Sequence, residues 1–164
     1  MAAAEKPAKA FSRRNVGAGV GGFLTTLLLL FGCSGDPALR PATLEEGSLP
    51  PCPDKPNCVS TRSPDPARRM EPLPFVGTRE ETRNRILEIV RGMDRSEVLQ
   101  VSDSTVHALF RSRLFRFVDD VLFLFDEAER LVHFRSASRV GTYDFGANRR
   151  RMEEISRRYR DRRP

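Results

Sequence analysis

The side chains best equipped for chemistry in this 164-residue chain lie between Arg111 and Arg149. Arg111, Ser112, Arg113 and Arg116 run into Phe117-Val118-Asp119-Asp120-Val121. Arg135-Ser136-Ala137-Ser138-Arg139-Val140-Gly141 follows, with Asp144, Asn148 and Arg149 beyond. Guanidinium groups are planar forks for carboxylate and phosphate. Arg111, Arg135, Arg139 and Arg149, with Ser136, Ser138 and Asn148 beside them, are the residues that would line an anion pocket. They would converge near the start of a C-terminal helix, whose free N–H groups favour negative charge. Asp144 opposes this, because as the helix cap it offers its own carboxylate to those donors. The competing assignment is structural. Asp119 or Asp120 then pairs with Arg135 or Arg139 across antiparallel strands, and the arginines lock a hairpin to the last helix.

Catalysis needs a base and a nucleophile. Asp119 and Asp120 are adjacent, so on a strand they face opposite sides and do not form an acid–base pair. His107 and His133 are the only histidines, each amid apolar neighbours. The chain shows no nucleophile elbow, phosphate loop or His-rich metal motif. The expectation is therefore a non-catalytic binding or scaffolding domain with no cofactor and no metal. The alternative is a hydrolase using Asp120 or Asp119 with neighbouring Arg and Ser residues. Nucleic acid is a poor partner, because no row of exposed aromatic residues is evident; Phe117, Phe123, Phe125 and Phe134 are expected in the core.

The three cysteines divide by context. Lys6, Lys9, Arg13 and Arg14 precede an uncharged run from Val16 to Gly32 that ends Leu30-Phe31-Gly32-Cys33. A basic stretch followed by an apolar run is the pattern of a signal peptide. The run is short for a membrane span, which needs about 20 apolar residues. Its end resembles a lipobox, which implies diacylation of Cys33 and cleavage before it. Two or three acyl chains anchor firmly, at about 0.8 kcal/mol per buried methylene. Ser12-Arg13-Arg14-Asn15-Val16 also resembles the start of a twin-arginine signal, and Sec export is the alternative. Cys52 and Cys58 remain, an even number. In an oxidising compartment they are expected to close a short Pro-bearing loop as a disulfide.

Three blocks resemble an uncharacterised family, the domain of unknown function numbered 1499. They are Pro56-Asn57-Cys58-Val59-Ser60, Phe117-Val118-Asp119-Asp120-Val121, and Arg135 to Gly141 running on to Asp144, Gly146, Asn148 and Arg149. The resemblance implies one domain over about residues 52–158 and carries no activity with it.

The elements that position these residues follow from periodicity. Thr78-Arg79-Glu80-Glu81 is a capping-box pattern. Thr82, Ile86, Ile89, Val90 and Met93 recur at helical spacing behind it, which predicts a helix at about 79–91 ending near Gly92. From Glu97 the period becomes two. Strands are expected at 98–101, 105–111, 117–125 and 131–138, joined by short turns. Asp144 then caps a last helix whose apolar stripe is Phe145, Met152, Ile155 and Tyr159. The predicted fold is α+β: a four-stranded antiparallel meander with two helices on one face, in the order α-β-β-β-β-α. The predicted organisation is a signal peptide over 1–32, a Pro-rich linker over 33–51 and a single domain over 52–164. The chain's net charge is +6, concentrated at its two ends. A basic tail could meet phosphate in lipid or nucleic acid, but a solvated helical face is the favoured reading. The expected partners are the membrane, through lipid on Cys33, and an envelope protein or anionic envelope molecule. The expected location is the periplasmic face of the cell envelope, with Ser34 favouring the outer membrane.

Overall fold

The computed structural model describes residues 48–113 and 116–161. The signal segment, Cys33 and most of the expected linker lie outside the described residues. The elements in chain order are β1 (Cys58–Ser60), β2 (Leu73–Pro74), α1 (Arg79–Arg91), β3 (Ser96–Val101), β4 (Thr105–Arg111), β5 (Val118–Asp126), β6 (Leu131–Ser138) and α2 (Ala147–Asp161).

The predicted meander is present as β3-β4-β5-β6, but the sheet has six antiparallel strands rather than four. β1 and β2 both pair with the outer edge of β6. These additions are three and two residues long, too short to show a period of two. They exist because β6 would otherwise leave its outer N–H and C=O groups unpaired. The order is therefore β-β-α-β-β-β-β-α.

α1 begins as its sequence dictates. The Thr78 hydroxyl accepts the Glu81 N–H at 3.2 Å, and the Glu81 carboxylate accepts the Thr78 N–H at 2.7 Å. Ile86, Ile89 and Val90 of α1, and Met152, Ile155 and Tyr159 of α2, join one core cluster. That cluster takes Val106, Ala108 and Phe110 from β4, Val121, Phe123 and Phe125 from β5, and Val132 and Phe134 from β6. Both helices thus cover the same sheet face, as the alternation of the strands requires.

Two aromatic residues depart from expectation. Phe145 is 88 % exposed and Phe117 50 % exposed. Phe145 has a φ of 52°, so it belongs to the turn before α2 and not to the helical stripe. Phe117 precedes the first paired residue of β5 and escapes the alternation that buries Phe123 and Phe125.

The other face of the sheet, here the second face, is also buried along β4, β5 and β6. Leu49, within the stretch read as linker, packs there against Leu122 and Leu124. Among the described residues, no helix is long and apolar enough to cross a membrane.

Candidate functional site

Register sorts the polar residues onto the two faces. Asp119 pairs with Phe110 and Ser138, whereas Asp120 pairs with Leu109 and Ala137. Directly paired residues share a face, so Asp119 lies on the helix face and Asp120 on the second face. Each carboxylate has its own arginine.

On the helix face the network centres on Asn148, in the first turn of α2. Its amide donates to the Asn57 carbonyl at 2.9 Å and to Ser138 Oγ at 3.1 Å. Its Oδ1 accepts from Ser136 Oγ at 2.6 Å and from Arg151 at 2.7 Å. Arg151 also donates to Asp119 Oδ2 at 2.5 Å and lies over the Phe110 ring, 4.8 Å from its centre. Asn57 donates from its side chain to the Gly141 carbonyl at 2.8 Å. Ser136, Ser138, Asn148 and Asp119 are therefore joined to one another, tying β1, β6 and α2 together. Arg151, absent from the sequence-based set, completes the network. Its position three residues after Asn148 on a helix puts both on one face, which was the available signal.

On the second face Asp120 accepts from Arg139 Nε at 2.8 Å and Nη2 at 2.9 Å, and it lies 2.6 Å from His107 Nε2. Burial alone would raise the Asp120 pKa, but the hydrogen bonds and charges of Arg139 and His107 outweigh it and hold the carboxyl below its ordinary value. The hydrogen bond from Arg139 to Asp120 correspondingly raises the arginine.

Arg135 has no such arrangement. It lies on the same face, paired with Leu122 on one side and Ser60 on the other. It is 8 % exposed, and its Nε is fully buried without a hydrogen-bond partner. No ion pair engages its guanidinium among the described residues. Burial lowers its pKa, with only the Coulomb attraction of Asp120 opposing. Asp120 itself is already committed to Arg139 and His107.

The remaining arginines of the expected pocket go elsewhere. Arg111 pairs with Glu97 at 2.8 Å near the β3 edge. Arg149 donates to the Ala67 carbonyl at 2.7 Å, joining α2 to the loop after β1. Arg135 and Arg139 thus share a face, and Arg111 and Arg149 do not join them. α2 begins at Ala147, two residues later than an N-cap at Asp144 implies, but the Asp144 carboxylate still accepts the Gly146 and Asn148 N–H groups at 3.0 and 2.8 Å from the preceding turn. Arg111 also borders a cleft of about 500 Å³ between the end of α1, β4 and α2, with Arg95, Arg113, Arg151 and Arg158 around Phe110. Four of those five arginines already have an acidic partner. Cys52 and Cys58 form the expected disulfide, with their Cα atoms 5.7 Å apart.

Fold and site together define a small mixed α/β domain on an antiparallel sheet, with an internal polar lock on one face and, on the other, a buried arginine that has no ion-pair partner among the described residues. A family model described as a protein of unknown function, DUF1499, matches residues 48–158. The chain belongs to that family. The three sequence blocks that carried the resemblance meet in space: Asn57, Asp119 and the segment from Ser136 to Asn148 make the helix-face network. No curated protein and no solved structure matches the chain significantly.

Proposed function

We propose that this chain is an exported, lipid-anchored envelope protein whose domain binds an anionic group on the second sheet face, through Arg135 with Arg139 beside it. The buried guanidinium of Arg135, which has no ion-pair partner among the described residues, carries this reading. An isolated buried charge costs several kcal/mol unless it is paired. A carboxylate or phosphate on a ligand supplies the missing counter-charge, and a guanidinium matches either in a bidentate geometry. The disulfide supports an oxidising location. The signal-like start and Cys33 supply the tether.

The hydrolase reading has less support. Asp120 accepts from Arg139 and His107, Asp119 accepts from Arg151, and Ser136 and Ser138 are bonded to Asn148.

The test compares wild type with Arg135→Met for binding of inorganic phosphate, citrate and acidic envelope polymers by calorimetry. Wild type is expected to bind at least one of these, and the variant to lose that binding while melting at the same or a higher temperature. Absence of binding by wild type across the panel, or a variant that only unfolds, overturns the anion site.

A further inference from the structure

We infer that the β5–β6 hairpin carries a divalent-metal site formed by Asp126, Glu129 and His133, with a donor set suited to zinc. The three residues offer ligand atoms that all lie within 4.8 Å of one another. Zinc takes imidazole nitrogen and carboxylate oxygen at about 2.0–2.2 Å, so a modest inward turn of the side chains encloses an ion. Asp126 ends β5, Glu129 sits in the turn, and His133 lies in β6 two residues past the Asp126–Leu131 pair. The hairpin ladder therefore fixes two of the three donors.

His133 and Asp126 are each held by a partner outside the ligand set. His133 is buried, and its Nδ1 lies 3.1 Å from Thr61 Oγ1. The same hydroxyl accepts the Phe134 N–H at 3.2 Å and lies 3.5 Å from the Phe134 carbonyl. His133 Nε2 lies 2.8 Å from Glu129 Oε2, a hydrogen bond that ligation replaces: in the metal-bound state Nδ1–H donates to Thr61 Oγ1 and the deprotonated Nε2 faces the ion. Orientation of a ligating imidazole through its other nitrogen is the usual supporting arrangement of metal sites. Asp126 Oδ1 accepts the Glu129 N–H at 3.1 Å. Among the described residues its Oδ2 has one side-chain contact, 3.3 Å to Arg62, whose side chain is 41 % exposed, so an entering ion has a loose, solvated cation to displace. Glu129 is exposed and gives the ion an entrance from solvent. Two carboxylates also neutralise a dication.

Three protein ligands leave coordination positions for water or an anion. Arg135 is two residues along β6 from His133 on the same face, about 7 Å away at the rise of a strand. Metal binding does not depend on the anion reading, and its test is separate from that one.

The full chain, purified in detergent and stripped with chelator, is titrated with zinc chloride against a colorimetric zinc indicator. Cobalt(II) uptake is followed in parallel by its visible absorption. One equivalent of zinc at micromolar or tighter affinity is expected, with a cobalt spectrum of nitrogen and oxygen ligation. Glu129→Gln changes an exposed side chain and should fold normally while weakening zinc at least tenfold. Thr61→Val should weaken it about 10- to 100-fold through His133. His133→Gln should abolish it. No stoichiometric uptake by wild type, or uptake unchanged in Glu129→Gln and in folded His133→Gln, overturns the site.

Discussion

Arg151 and Arg135 are two buried or nearly buried guanidinium groups with opposite surroundings. Arg151 is matched by Asp119, Asn148 and Ser136. Asp119→Ala leaves that charge without its counter-ion, and a loss of about 3–5 kcal/mol is expected in urea unfolding. Arg135 has no acidic partner of its own among the described residues, so Arg135→Met should hold or raise the melting temperature. A fall of several degrees would show that Arg135 stabilises the fold. Asp120 gives the domain a defined acid response. Its folded pKa lies below the ordinary value of about 3.9. Its ionised form therefore stabilises the fold fully above that pH, and the contribution is lost as pH falls through the lowered folded value. Asp120→Asn should flatten the acid limb of a stability–pH profile below about pH 4; an unchanged slope would contradict the assignment.

The elements depend on one another through β6. β1 and β2 hydrogen-bond to its outer edge, β5 to its inner edge, and Asn148 joins its end to α2. Asn148→Ala removes four hydrogen-bond partners at once, and each buried group left unsatisfied costs about 1–3 kcal/mol. The expected result is loss of several kcal/mol and early exchange of β1 and α2 amides, readable by hydrogen–deuterium exchange. The Cys52–Cys58 link closes a short loop just before β1. In the chain-entropy account such a loop contributes about 2–3 kcal/mol, so reduction should lower the denaturant midpoint without changing the sheet's circular dichroism.

For the molecule as a whole, the family match reaches back into the stretch that the sequence reads as linker. The family model starts at residue 48, and Leu49 already packs against Leu122 and Leu124. If the chain is exported and acylated on Cys33, mass spectrometry of the mature protein should show a chain starting at Cys33, the added mass of two or three acyl groups and two hydrogens missing from Cys52 and Cys58. A start at Met1 or Ala2 with free thiols would contradict the exported, tethered reading. Such a chain would also fractionate with cytosolic enzymes.

Local order was legible wherever it is written in consecutive residues. The capping box at Thr78, the stripe of α1, the alternation of β4 to β6 and the opposed faces of Asp119 and Asp120 follow from periods of 3.6 and 2. The disulfide followed from cysteine count and context, and the family from three short blocks. Tertiary structure alone decided what depends on contacts between distant segments. β1 and β2 are strands because β6 has an edge to satisfy, not because their few residues show a pattern. Arg139, and not Arg135, reached Asp120, because a guanidinium's partner is set by register and by the path of the chain after the strand. Asp126, Glu129 and His133 gather because a tight turn folds β5 back on β6, a closeness that spacing along the chain does not display.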